Sequence, residues 1–309
     1  MKLCVIQQPP VWFDLEKSIA WGIDLIGQAA RQGARLIVFP EAWFPGYPVF
    51  VWRLAPWAGM VDTRTLFRRL QNNAIDRLGG GLAPLQAAAA EHGVVLVVGY
   101  HELDSGQSGS TLFNACAVID ADGRIANNHR KLMPTSPERM IWGFGDATGL
   151  RVVETAVGRI GTLLCWENYM PLARCALYAQ NMEILCAPTW DKGELWLATM
   201  QHIAREGGCW VIGCSTPMEA ADIPIDVPAR AAMFPDKANG SIRATRRSMV
   251  STARCWPDRC ALRRVCFSPT STRQPPAAMF DATGHYARPD IIFTLRVNRA
   301  AHAPVVFRD

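Results

Sequence analysis

Three reactive side chains stand where apolar, strand-like stretches stop. Glu41 closes Val38-Phe39-Pro40-Glu41, Lys131 follows His129-Arg130, and Cys165 ends Arg159-Ile160-Gly161-Thr162-Leu163-Leu164-Cys165. Strand ends bring residues distant in sequence onto one rim of a sheet. A carboxylate, an ammonium and a thiol on one rim suit covalent chemistry at a carbon–nitrogen bond. The carboxylate takes the thiol proton, the thiolate attacks, and the ammonium stabilises charge developing on the electrophile. The run predicts that the strand reaches the thiol, and that a helix with Pro171 in its first turn points peptide N–H groups at the sulfur, favouring thiolate. Singly, each residue carries little. A free cysteine is mostly a small core hydrophobe, and a lone Glu or Lys at a strand end is mostly solvated.

The elements that must position them alternate regularly over residues 1–217. Ile19, Ile23 and Ile26 mark one face of a helix over 16–32, with Gly33 as its cap, before a buried strand over 34–39. An Ala-rich helix over 82–92 ends at Gly93 and leads to a strand over 94–100. Strands over 111–119 and 124–126 flank the turn Asp120-Ala121-Asp122-Gly123. The strand over 159–165, a helix over 171–181 and a strand over 182–187 form the next unit, followed by a helix over 195–205 and a strand over 210–214. With no low-complexity linker and no short repeat, one domain spanning residues 1–309, with two sheets and helices outside, is the economical reading.

Half of the 309 residues are hydrophobic, enough for a sizeable core. No stretch approaches the ~18 continuous apolar residues of a membrane span, and Met1-Lys2-Leu3-Cys4-Val5-Ile6-Gln7-Gln8 reads as a short strand, too soon interrupted by Pro9-Pro10 for a signal peptide. Ten scattered cysteines without a secreted-domain framework fit reduced thiols in a cytoplasm. The net charge of +5 suggests nucleic acid, but its distribution does not. Residues 236–277 hold nine Lys and Arg against two Asp and Glu, so of the totals of 32 and 27 there remain 23 basic and 25 acidic residues elsewhere. The basicity belongs to one odd segment.

Glu41 in Phe39-Pro40-Glu41, Lys131 in His129-Arg130-Lys131-Leu132-Met133-Pro134-Thr135, and Cys165 in Cys165-Trp166-Glu167-Asn168-Tyr169-Met170-Pro171-Leu172 resemble the Glu-Lys-Cys triad of the nitrilase superfamily. Ala187-Pro188-Thr189-Trp190-Asp191, the stretch around His202 and Glu206, and Gly284-His285-Tyr286-Ala287-Arg288-Pro289-Asp290 also match. Trp-Glu-Asn directly after the cysteine is like the nitrile-hydrolysing branch, as opposed to the amidase and carbamoylase branches. The resemblance implies an αββα four-layer sandwich, with two central sheets and helices on both outer faces. It also implies a thioimidate mechanism in which Glu41 deprotonates Cys165 and Lys131 stabilises the nitrogen and the tetrahedral species. Glu138 matches a further glutamate that positions substrate or water. A homo-oligomer, dimer or larger spiral, and a small organic nitrile as substrate are implied as well, with no cofactor and no metal. Amide or N-carbamoyl hydrolysis by the same triad is the nearest alternative.

Among other candidates, Trp166, Tyr47 and Trp190 are expected to contact substrate. Trp43, Trp52 and Trp57 with Phe50 could line an apolar pocket, although such aromatics are usually core. His129 beside Lys131 reads as structural, because Glu41 already supplies a base. Cys209 and Cys214 are too far apart for a C-x-x-C clip, and Gly79-Gly80-Gly81 lacks the Gly-Lys-Ser/Thr of a phosphate loop.

After Pro235 the alternation collapses. Arg243, Arg246, Arg247, Arg254, Arg259, Arg263, Arg264 and Arg273 crowd in among Cys255, Cys260 and Cys266, in spacings that fit no metal template and no helical stripe. Family members carry W-I-N-P-G-D, then L-A-G-P, then G-L-L-F-A-D-I-D here. A reading frame shifted so that each codon takes the last base of one printed codon and the first two of the next permits all three, in order. Two compensating frameshifts enclosing residues 237–276 are therefore expected. As printed, this segment would replace apolar strand residues by Arg and Pro, which a buried sheet tolerates poorly, and would leave a catalytically impaired chain.

Overall fold

The computed structural model describes residues 1–55, 59–191, 193–216 and 218–234, with the backbone of two further strands, Met249–Ser251 and Val265–Phe267. Its strands are β1 (Lys2–Ile6), β2 (Ala34–Val38), β3 (Val95–Leu103), β4 (Leu112–Ile119), β5 (Ile125–Arg130), β6 (Val153–Thr155), β7 (Gly158–Thr162), β8 (Ile184–Thr189), β9 (Trp210–Ser215), β10 (Met249–Ser251) and β11 (Val265–Phe267). The helices are α1 (Leu15–Arg31), α2 (Met60–Asn72), α3 (Ala83–His92), α4 (Pro171–Tyr178), α5 (Glu194–Gly207) and the one-turn α6 (Arg230–Met233).

Period-two side-chain alternation builds the layers. The first sheet runs β11-β1-β2-β3-β4-β5 and the second β10-β9-β8-β7-β6. Leu3, Val5, Leu36, Val38, Val95 and Val97 of the first sheet share one buried cluster with Ile160, Ile184, Cys186 and Ile212 of the second, so these faces meet. The alternate residues point outward. Cys4, Ile6, Ile37, Leu96 and Val98 pack on Leu25, Ile26 and Ala29 of α1 and on Leu85, Ala88 and Ala89 of α3. Leu185, Ala187 and Val211 pack on Ala176 and Leu177 of α4 and on Met200 and Ile203 of α5. The order is helix, sheet, sheet, helix, the αββα sandwich expected.

β1, β2 and β3 are parallel, as are β7, β8 and β9, while β4 and β5 return antiparallel. Asp14 caps α1 by accepting from Lys17 N, and Gly93 ends α3 in the left-handed conformation. Beyond the expected elements stand α2 and β6. α2 buries only Leu66 and Leu70, four residues apart, in an otherwise largely polar stretch. The atypical segment 237–276 lies outside the described residues apart from β10 and β11, as do Trp57 and the motif at 284–290. Among the described residues no helix is long and apolar enough to cross a membrane.

Candidate active site

The carboxyl ends of four strands converge on one rim. Glu41 lies three residues past β2, Lys131 directly follows β5, Cys165 lies three past β7, and Thr189 ends β8. The first sheet therefore supplies the carboxylate and the ammonium, and the second supplies the thiol.

Glu41 is held by close packing of backbone against backbone. The chain over 39–47 lies along β3, with Phe39 N–H donating to Val97 O at 2.8 Å and Phe44 N–H to Gly99 O at 3.2 Å. Gly99 is what permits this approach: a Cβ there would collide with the Pro40 carbonyl oxygen and come within 2.9 Å of Glu41 Cα. Glu41 Oε1 accepts from Lys131 Nζ at 2.8 Å and from Asn114 Nδ2 at 2.7 Å. Its Oε2 is buried and has no protein partner. That oxygen is free to take a proton.

Lys131 is fully buried and spans two carboxylates, its Nζ lying 2.8 Å from both Glu41 Oε1 and Glu138 Oε2. Burial alone would discharge the ammonium. The Glu41 carboxylate, with Glu138 beside it, overcomes this and holds the Lys131 pKa above the ordinary lysine range. Glu138, buried in a short 3-10 turn (Ser136–Met140), also accepts from Thr135 N–H at 2.7 Å and from the Tyr47 hydroxyl at 2.5 Å. Trp52 Nε1 in turn donates to Tyr47 Oη at 2.9 Å. Burial, then the Glu138 charge, lift the Tyr47 phenol well above its ordinary pKa, so it acts as a donor toward Glu138.

Cys165 departs from the sequence reading in two ways. The strand stops at Thr162, and Cys165 itself adopts a left-handed conformation, φ +50°, opening a 3-10 turn (Cys165–Tyr169). This turn, and not α4, follows the sulfur. A non-glycine residue held at positive φ is strained, and such strain collects where surrounding structure fixes a working geometry. Ala42 beside Glu41 (φ +49°) and Ser136 near Glu138 (φ +44°) share it. The second departure is electrostatic. Burial, then the Glu41 charge, push the thiol pKa up, and Lys131 and a 3.1 Å hydrogen bond from Thr189 Oγ1 offset this in part. This environment favours the thiol, where a helix N-terminus was expected to favour thiolate, so thiolate formation calls for a base. Burial likewise lifts the Glu41 carboxyl above its ordinary range, against the pull of Lys131, and makes it a stronger one.

Two of the three expected substrate contacts come together. The Tyr47 and Trp190 rings stack with centroids 4.3 Å apart and 2° between planes. Trp142, absent from the sequence reading, packs edge-on to Tyr47 at 5.7 Å and lies 6.0 Å from Lys131 Nζ. Trp166 is about half exposed, and its indole N–H donates to Asp191 Oδ2 at 2.9 Å. Trp43 and Phe50 are core residues, and Trp52 serves Tyr47. His129 is buried and bonded to Glu167. Asn114 and Thr189 were missed. Asn114 carried a signal: it is a polar residue at a buried position of an otherwise apolar strand. Among the described residues no group of three or more His, Cys, Asp or Glu side chains could hold a metal ion.

Known proteins agree with this architecture. A carbon-nitrogen hydrolase family profile matches residues 2–225. The chain is 37% identical over 310 residues to an aliphatic nitrilase of Sinorhizobium fredii, covering 99% of this chain and 98% of that one. It is 35% identical over 320 residues to a bifunctional nitrilase/nitrile hydratase of Nicotiana tabacum, covering 99% and 88%. Its fold matches the crystal structure of Saccharomyces cerevisiae Nit3, a member of branch 10 of the nitrilase superfamily, with a TM-score of 0.69 and 15% identity over 94% of this chain and 96% of that one. The chain belongs to the carbon-nitrogen hydrolase family, on its nitrilase branch.

Proposed function

We propose that this chain hydrolyses an organic nitrile to a carboxylic acid and ammonia through a covalent adduct on Cys165. The observation that carries the reading is a buried thiol in the field of a carboxylate that has one unpartnered oxygen, the same carboxylate being tied to a buried ammonium. Glu41 Oε2 takes the Cys165 proton as sulfur adds to the nitrile carbon, and returns it to nitrogen, giving a thioimidate. Lys131 stabilises negative charge developing on that nitrogen. Glu41 takes a proton from a first water as its oxygen adds to the thioimidate carbon and passes it to nitrogen; collapse carries the remaining hydroxyl proton to nitrogen, expels ammonia and leaves a thioester. A second water cleaves it to the acid and restores the thiol. Glu138, fixed by Lys131, Thr135 and Tyr47, positions the water. The stacked Tyr47 and Trp190 rings supply an apolar wall for the substrate carbon chain.

The test is an ammonia-release assay on paired nitriles and amides. Nitrile turnover lost in Cys165→Ala supports the reading, and turnover of amides with none of nitriles refutes it in favour of amide hydrolysis. We further propose that the whole chain is one domain in a homo-oligomer, and that it works in a reducing compartment such as the cytoplasm. Seven free cysteines among the described residues support the compartment. Leu172 and Leu195, exposed by 71% and 84% on α4 and α5, support a subunit contact there, which the mass in solution tests.

A further inference from the structure

The catalytic groups come from two different sheets, so something must fix one sheet against the other at this rim. Most inter-sheet contact is apolar and without direction. One side chain is different. Glu167, fully buried two residues past Cys165, accepts from Leu132 N–H at 2.6 Å through Oε1 and from Leu164 N–H at 2.6 Å through Oε2. Leu132 directly follows Lys131, and Leu164 directly precedes Cys165. His129 Nε2 lies 3.0 and 2.9 Å from the same two oxygens, and His129 is itself fully buried, two residues before Lys131. Burial works against the charge on Glu167, but the His129 and backbone donors prevail and keep its carboxyl below the ordinary pKa.

One carboxylate thus grips the backbone beside both Lys131 and Cys165 with charge-assisted hydrogen bonds, which are short and directional. We propose that Glu167, held by His129, is a positioning residue for the reaction: it sets the distance and angle between the Lys131 ammonium and the Cys165 sulfur. Glu167 need not touch substrate. Its carboxylate is required because both oxygens must accept, and a glutamine would turn a donor toward one of the two backbone N–H groups. The inference rests on the nitrile-hydrolysis reading for its turnover arm alone.

The experiment therefore has a second arm that needs no substrate. In folded protein, Cys165 alkylation by iodoacetamide is followed on the tryptic peptide 160–174, which contains no other cysteine. Because Lys131 lowers the thiol pKa, its displacement in Glu167→Gln should slow alkylation at pH 8 by at least about ten-fold. Denatured protein should react like the wild type. With nitrile, kcat per folded subunit should fall about 100-fold with KM changed less than about three-fold. His129→Gln, which keeps a donor toward Glu167, should retain alkylation within about three-fold, and His129→Ala should not. If Glu167→Gln does not fold, the His129 pair decides the question. Wild-type alkylation and kcat in folded Glu167→Gln, or equal behaviour of the two His129 variants, would overturn the proposal. A wild-type protein that is inert to nitriles yet shows the alkylation pattern would sink the functional reading and leave this one standing.

Discussion

Acidification should loosen this molecule at a histidine next to the site. His101, fully buried in β3, has Nε2 2.9 Å from Gly46 O and accepts from Trp142 Nε1 through Nδ1 at 3.0 Å. Those partners require a neutral ring with its proton on Nε2. Burial depresses the His101 pKa from the ordinary 6.5 to about 4. Within that window the unfolded chain binds a proton that the folded chain refuses, so stability rises with pH there. The contribution is complete above pH 6.5 and is lost as the pH falls through 4. An interval of about 2.5 pH units at about 1.4 kcal/mol each amounts to roughly 3 kcal/mol. His101→Gln keeps a donor toward Gly46 and does not titrate. Urea unfolding of both proteins from pH 7 to pH 4 isolates the histidine, because carboxylates common to both cancel in the difference. The variant should be the less stable at pH 7, and the gap should narrow by about 3 kcal/mol at pH 4. Parallel stability curves would refute the reasoning.

Removing the base should cost chemistry above all. Glu41→Gln is expected to lower kcat by about 10²–10⁴-fold, read by ammonia release, and to lower the urea midpoint as well, because buried Lys131 loses its main countercharge. Tyr47→Phe deletes the donor to Glu138 and the acceptor for Trp52. It should destabilise by about 1–3 kcal/mol in denaturant titration and lower kcat more than it raises KM. Gly99→Ala forces the backbone carrying Glu41 off β3 and should cost about 1–3 kcal/mol, visible as a lower thermal midpoint. For the segment 237–276, mass spectrometry of native protein should find no tryptic peptide of the printed sequence 248–254. Finding it would end the frameshift proposal, and resequencing provides an independent check.

The meeting of Glu41, Lys131 and Cys165 was legible for two different reasons: Glu41 and Cys165 each close an apolar run, whereas Lys131 follows the polar stretch Asn127-Asn128-His129-Arg130 and stood out by the motif around it. The layers were legible too, since alternating Leu3, Val5 and Cys4, Ile6 face opposite sides of β1. What escaped were properties that depend on several segments meeting. The left-handed turn at Cys165 has no local marker such as glycine, so the strand was drawn three residues past its end at Thr162 and the thiolate was credited to a helix that begins six residues later. The raised thiol pKa follows from burial beside the Glu41 and Glu138 charges, against the pull of Lys131, which no spacing reports. His101 and His129 are unremarkable letters in sequence. Their roles rest on Trp142 and Glu167, 41 and 38 residues away.

The split of the proposed catalytic groups between two sheets makes the candidate site a gauge of the seam between those sheets. Cys116 and Cys186 lie in that seam as small, fully buried fillers. Enlarging either would wedge the layers apart by a fraction of an ångström, since a packed interior transmits strain. Such a change touches no reacting atom, yet it alters the gap that the thiol proton and the ammonium must span. Reaction rate in this architecture is therefore mechanically coupled to the thickness of its interior, and catalysis should fade under heat or pressure before secondary structure does.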